Sequence, residues 1–135
     1  MKYMLDTNIL IYFLKHKPAS VAQRIDALGE EAGLCMSFFT FAELLKGAER
    51  SSQRLRVLKQ LDALTALIPV IYDTDRELCE QYARQSLALK AQGTPIGAND
   101  LWIACHALSQ DATLVSHNVR EFERIQGLKL EDWAC

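Results

Sequence analysis

Leu5-Asp6-Thr7-Asn8-Ile9-Leu10-Ile11-Tyr12 is the stretch on which the reading of this chain turns. The residues ahead of it, Tyr3-Met4-Leu5, read as a short apolar strand, and the polar triplet Asp6-Thr7-Asn8 interrupts that strand before a second apolar run. A strand that ends in a carboxylate, a hydroxyl and an amide puts oxygen-bearing side chains at the rim of a hydrophobic layer, the setting that a hard divalent cation requires. Asp, Thr and Asn are equally favoured as helix caps, so the same residues fit a helix starting near Asn8. What separates the two readings is whether other carboxylates can join Asp6.

At 135 residues the chain fits one domain, 1–135, with enough length to cover both faces of a small sheet. Half of the residues are apolar, yet no run of about 18 apolar residues occurs, and no membrane association is expected. Asp6 arrives before any apolar segment has developed, which is not a signal-peptide pattern, so a cytoplasmic location is the expectation. Cys35, Cys79, Cys105 and Cys135 lie far apart without a CxxC pair, and the three histidines lack zinc-ligand spacing. Buried or incidental thiols are expected, with neither structural zinc nor a disulfide framework.

A formal charge of -2 provides no overall field to recruit nucleic acid. Locally, Lys46, Arg50, Arg54, Arg56 and Lys59 stand against the single acid Glu49. If their helix is continuous, Lys46, Arg50 and Arg54 share one face, either a solvated surface or a stripe that contacts phosphates.

The rest of the chain alternates strands with helices. Ser20 to Leu28 presents Val21, Ile25 and Leu28 at helical spacing, and Leu34-Cys35-Met36 reads as a second strand. Ser37 and Thr40 both suit the N-cap of the next helix; Thr40 with Glu43 has capping-box spacing, which would place Glu43 in a first turn. A second periodic segment carries Leu55, Leu58, Leu61 and Leu64. Leu67 to Tyr72 is a strand candidate that Pro69 confines to a start or an edge. Thr74 or Asp75 caps a helix running to about Ala91, and Asp100 opens an apolar helix over Leu101 to Leu108. Ala112 to Ser116 is the last clear strand, a short helix spans Val119 to Arg124, and Leu128-Lys129-Leu130 can close the sheet edge. Such alternation predicts an α/β fold, a three-layer α/β/α sandwich with a mostly parallel central sheet.

Asp6, Glu43 and Asp100 thus occupy related local settings, and in an open α/β sheet sites gather outside the carboxyl ends of the strands. Together without a counter-charge they would raise one another's pKa, and a divalent cation is the simplest compensation. The nearest basic residues along the chain, Lys2 and Lys90, are poorly placed for either aspartate.

Four blocks then carry a resemblance: Leu5 to Tyr12, Phe41-Ala42-Glu43-Leu44-Leu45-Lys46-Gly47, Ile96 to Ala104 with Asn99-Asp100 inside it, and Leu114 to Leu128 with Ser116-His117-Asn118. In this order, across essentially the whole chain, they resemble the PIN-domain ribonucleases, in particular the VapC toxins of bacterial toxin–antitoxin pairs. The resemblance implies a Mg2+- or Mn2+-dependent endoribonuclease, with Asp6, Glu43 and Asp100 in the acidic site and Asp6 and Asp100 as the minimum metal ligands. A fourth position stays open between Asn118 and Glu121, of which Glu121 is the carboxylate able to act on water alongside Asp100. Thr7 and Asn8 would orient Asp6, and Ser116 matches a hydroxyl position near the site.

His117 lies beside that site and could touch a phosphate or an antitoxin carboxylate, whereas His106, on its apolar helix, is expected to be structural. By resemblance the partners are a cognate VapB-type antitoxin lying across the active-site groove, a second copy of the chain in a homodimer, and RNA. Phe38, Phe39 and Phe41 suit such protein surfaces or the core. Enteric VapC toxins cut initiator tRNA in its anticodon stem-loop, so tRNA is the implied substrate, with Lys46, Arg50 and Arg54, helped by Arg120 and Arg124, on its backbone. The alternatives are a catalytically silent PIN-like interaction module and a nuclease acting on other RNA or on DNA.

Overall fold

Side-chain alternation along the strands sorts the core into two layers. Along β1 (Lys2–Leu5), Tyr3 and Leu5 enter one apolar cluster and Met4 the other. β2 (Gly33–Ser37) and β4 (Thr113–Val115) follow suit, with Met36 and Val115 facing the first layer and Cys35 and Leu114 the second. Two short edge strands, β3 (Val70–Ile71) and β5 (Leu130–Glu131), complete a sheet of order β3-β2-β1-β4-β5. Every neighbouring pair is parallel. The computed structural model describes residues 1–135.

The helices between these strands supply the outer layers. On one face lie α1 (Thr7–Lys15), α2 (Ala19–Leu28), α3 (Phe38–Arg50) and α4 (Arg54–Leu67), which contribute Ile9, Leu10, Val21, Ile25, Leu44, Ala48, Leu61 and Leu64. On the other lie α5 (Arg76–Ala91), α6 (Ala98–Ser109) and α7 (Val119–Phe122), with Leu78, Leu89, Ile103, Ala104 and Phe122. The α/β/α sandwich expected from the alternation is therefore the fold, and its sheet is parallel throughout. β1 is its centre: the order runs outward through β2 and β3 on one side and through β4 and β5 on the other. That reversal beside β1 opens a crevice at the carboxyl ends of the strands.

Three local expectations fail for identifiable reasons. Ser37, not Thr40, caps α3: its hydroxyl accepts the Phe39 amide at 3.1 Å, and Thr40 is buried with an unpartnered hydroxyl. Glu43 is consequently in the second turn of α3 rather than the first. Next, α3 ends at Arg50 and α4 begins at Arg54, so Lys46, Arg50 and Arg54 do not share the face of a continuous helix. Leu55, in the first turn of α4, is 74 % exposed although it matches the apolar spacing of Leu58, Leu61 and Leu64. The edge position of Val70–Ile71 after Pro69, and of Leu130 at the opposite side, are as expected.

One polar cluster sits inside the apolar frame. His106 of α6 is fully buried, with Nε2 3.0 Å from the Asp73 carbonyl and Nδ1 2.7 Å from the Ser37 hydroxyl. A carbonyl can only accept, so Nε2 carries the proton and Nδ1 accepts from Ser37. The ring is a structural link between the α3 cap, the α6 core and the loop after β3. Burial holds the imidazole below its ordinary pKa, partly offset by the Asp73 carbonyl. Its contribution to stability is thus present above about pH 6.5 and lost as pH falls, because the unfolded chain takes up the proton first. His106→Ala leaves a cavity and removes the acceptor of the buried Ser37 hydroxyl, while the Asp73 carbonyl keeps the Gln110 side-chain amide at 3.3 Å, and urea unfolding at neutral pH should show a loss of about 2–4 kcal/mol. The gap from the parent should narrow as the pH is lowered below about 6.

Candidate active site

The site starts from a ladder rung. The Asp6 amide donates to the Val115 carbonyl at 2.8 Å, carrying the β1–β4 pairing one residue past β1. The same residue is the N-cap of α1: its Oδ1 accepts the Thr7 amide at 2.8 Å. The cap reading of Asp6 is therefore observed, and a cap at the end of a central strand also faces the crevice. The Ser116 hydroxyl donates to Oδ2 of Asp6 at 2.8 Å, and itself accepts the Asn118 amide at 3.0 Å. The turn after β4 and the start of α1 are fastened to one buried carboxylate.

Two more carboxylates reach the same space. Glu43 comes from α3, and its Oε1 accepts the Thr7 hydroxyl at 2.8 Å. Asp100 is the third residue of α6, with Asn118 Nδ2 3.4 Å from its Oδ2. Asp6, Thr7, Asn8, Ile11, Glu43, Asp100, His117 and Asn118 line one open cleft of about 380 Å³. Ile11 is the lining residue that the sequence reading did not single out; it lies one helical turn from Asn8 on α1 and supplies an apolar wall.

No basic side chain pairs with this group. The salt bridges join Arg24 to Glu131, Arg54 to Glu49, His117 to Asp132 and Lys129 to Asp111, and none involves Asp6, Glu43 or Asp100. Lys2, the basic residue nearest Asp6 in sequence, bonds Gln110 instead. Burial raises the Asp6 pKa and the Glu43 charge adds to that, against the bonds from Ser116 and Thr7. Asp100 is pushed up to about 6 by burial first, then by the charges of Asp6, Glu121 and Glu43. Such crowding of acceptor-only oxygens without a counter-charge is the donor set that a hard divalent cation fits.

The remaining candidates divide. Glu121, in α7, does not line the cleft, although its charge is felt at Asp100. His117 lines the cleft, its Nδ1 standing 2.9 Å from Asp132 Oδ2. Lys46 and Arg50 are exposed on α3, whereas Arg54 donates to Glu49 at 2.8 Å. Arg50 lines a second groove of about 430 Å³ between α1, α3 and α4, which shares Thr7, Ile11 and Glu43 with the acidic cleft. Gly47 lines it too, with nothing within 4 Å of where a Cβ would stand, so its missing side chain keeps that wall low.

Comparison with known proteins identifies the family. The family described as PIN domain matches residues 3–128. Ribonuclease VapC1 of Haemophilus influenzae is 47% identical over 133 residues, covering 98% of each chain. The tRNA(fMet)-specific endonuclease VapC of Shigella flexneri is 40% identical over 134 residues, covering 99% of each. Among solved structures, VapBC-1 from nontypeable Haemophilus influenzae contains a chain that superposes with a TM-score of 0.92 at 47% identity, covering 100% of both chains.

The electrostatic strain at Asp100 has a measurable sign. A carboxylate whose folded pKa is about 6 stabilises the metal-free chain fully below about pH 4, and that contribution disappears as the pH rises through 6. With chelator present at about pH 7.5, Asp100→Asn should therefore unfold later than the parent, by about 1–2 kcal/mol once solvent screening of this half-exposed group is allowed for. Thermal unfolding across a pH series would check it, the variant showing the flatter dependence.

Proposed function

The chain belongs to the PIN-domain family, among its VapC ribonucleases, and from that premise we propose a metal-dependent endoribonuclease toxin whose acidic cleft hydrolyses RNA and is neutralised by a VapB-type antitoxin. The observation that carries this reading is the convergence of Asp6, Glu43 and Asp100 on one open cleft with no basic side chain bonded to any of them.

Mg2+ or Mn2+ is the ion assigned to the cleft, with Asp6 and Asp100 as its first ligands. When bound it supplies a water of lowered pKa and neutralises charge on the phosphoryl oxygens. Thr7 and Ser116 hold the Glu43 and Asp6 carboxylates in place by the bonds described above. Asn8 and Asn118 complete the polar rim, Asn118 with its amide directed at Asp100. Asp100, a carboxylate lining the cleft, would orient the attacking water or accept its proton. Glu121 acts through its charge on Asp100. Attack by water with departure of the 3′ oxygen leaves a 5′-phosphate and a 3′-hydroxyl.

Lys46 and Arg50 are the backbone contacts of this reading. Arg54 joins them only by leaving Glu49, an exposed pair whose loss costs little. The anticodon stem-loop of initiator tRNA is the proposed substrate, supported by the 40% identity to an endonuclease named for tRNA(fMet). An antitoxin segment would cover the apolar groove beside the cleft, which shares Thr7, Ile11 and Glu43 with it. For the homodimer, the available face is an aromatic run in which Tyr72, Phe38, Phe39, Trp102 and Tyr82 stack in succession, with Tyr72 64 % exposed. No helix is long and apolar enough to cross a membrane, and the cytoplasm, where the RNA is, is the proposed location.

Purified protein incubated with total RNA and Mg2+, followed by sequencing of the new 5′ ends, tests the whole reading. One dominant cut in the initiator tRNA loop is expected, lost with chelator and regained with Mn2+. Asp6→Asn should lower the rate by at least about a hundredfold, since it deletes a ligand charge while leaving a hydrogen-bonding group in the same place. Cleavage by Asp6→Asn at the parental rate would remove the cleft from the chemistry, and scattered cuts in unstructured messages would leave a ribonuclease of another specificity. Arg50→Ala with Lys46→Ala should weaken RNA binding and reduce its salt slope by about two charges.

A further inference from the structure

His117, Asp132 and Cys135 were separate residues of no common purpose in the sequence, and the fold brings them together, His117 from the lining of the acidic cleft and Asp132 and Cys135 from a neighbouring pocket. Their donor atoms, His117 Nδ1, an Asp132 carboxylate oxygen and Cys135 Sγ, all lie within 4.8 Å of one another. We propose that they form a second metal site, distinct from the acidic cleft, for a borderline transition-metal dication of the Zn2+ class.

The geometry is that of a site with its ligands already facing inward. His117 Nδ1 at 2.9 Å and Cys135 Sγ at 3.1 Å both point at the same oxygen, Oδ2 of Asp132. A tetrahedral ion with bonds of about 2.0–2.3 Å separates its ligand atoms by roughly 3.3–3.8 Å, so a small outward movement admits it. The supports are also present. Oδ1 of Asp132 accepts the Ala134 amide at 2.8 Å, which fixes the carboxylate plane, and the Asp132 side chain is only 14% exposed. The His117 ring is held edge-on by Tyr12 at 5.9 Å, and its backbone amide is 3.4 Å from Asn8 Oδ1.

Ligand type decides which metal. One imidazole, one carboxylate and one thiolate suit Zn2+ or Co2+ and are a poor match for Mg2+, which takes oxygen donors. On binding, the Cys135 thiol releases its proton to solvent and the imidazole binds in its neutral form, so the step is a proton-for-metal exchange with no redox change. The three side chains leave a fourth position for water or a phosphate oxygen. Because His117 also lines the acidic cleft, an ion here would fix one side of the cleft mouth and add positive charge beside it.

Absorbance titration of the full chain with Co2+, in excess Mg2+ to fill the acidic cleft, tests this directly. One equivalent of Co2+ should produce a near-ultraviolet thiolate-to-cobalt band, and Zn2+ should bleach it. Cys135→Ser should abolish the band and His117→Ala should weaken Co2+ binding at least about tenfold. Cys79→Ser, at the other exposed thiol, should leave the band intact. Absence of the band at stoichiometric Co2+, or a band that survives Cys135→Ser, overturns the proposal; either result leaves the acidic cleft and its RNA chemistry unaffected.

Discussion

A single backbone hydrogen bond, from the Asp6 amide to the Val115 carbonyl, fixes where the acidic cleft forms. It extends the pairing of β1 with β4 by one residue, so the last side chain of the central strand is held at the crevice rather than left in a loop. With the amide committed to the ladder, the Asp6 side chain is free to cap α1 through one oxygen and to take the Ser116 hydroxyl on the other. Three elements are thereby referred to one carboxylate. Glu43 and Asp100 arrive on α3 and α6 from opposite faces of the sheet, and the Thr7 hydroxyl, one residue beyond Asp6, bonds Glu43.

Placing acids together this way is locally unfavourable, and the rest of the fold bears it. Two apolar clusters, separated by the sheet and built from its alternating side chains, surround a polar point that would otherwise open to water. The consequence is that Asp6 and Asp100 hold protons more tightly than exposed carboxylates do, Asp100 up to about 6. The proposed cation would relieve the repulsion, since an opposite charge favours the ionised carboxylates. His106 shows the contrasting solution elsewhere in the same core: a buried titratable group kept neutral, with both ring nitrogens satisfied.

The surroundings of the cleft are graded. Towards α4 there is an apolar groove carrying Arg50, and towards the chain's last residues a cluster of nitrogen, oxygen and sulfur donors. Basic charge is therefore near the acids without being paired with them.

How much of this was legible in the residues follows from the range of the forces involved. Local patterns were sufficient for the sandwich: the alternation of strands and helices, the apolar runs at Tyr3 to Leu5 and Ala112 to Ser116, and the edge position enforced by Pro69 are properties of neighbouring residues. The candidacy of Asp6, Glu43 and Asp100 was legible too, through motif blocks and their strand-end settings. The sequence by itself determined which side chains could belong to a cleft, because type and local position are written residue by residue. Tertiary structure alone decided which of them meet. Ser37 outcompeted Thr40 for the α3 cap because the His106 ring waits beside it. The helix break at 51–53 divided Lys46 and Arg50 from Arg54, which turned to Glu49. Glu121 came within reach by charge but not within the cleft. His117, Asp132 and Cys135 carry no spacing that a linear pattern could register, since the return of the chain through β5 beside β4, set by the parallel pairing of Val115 with Glu131, is what brings them together.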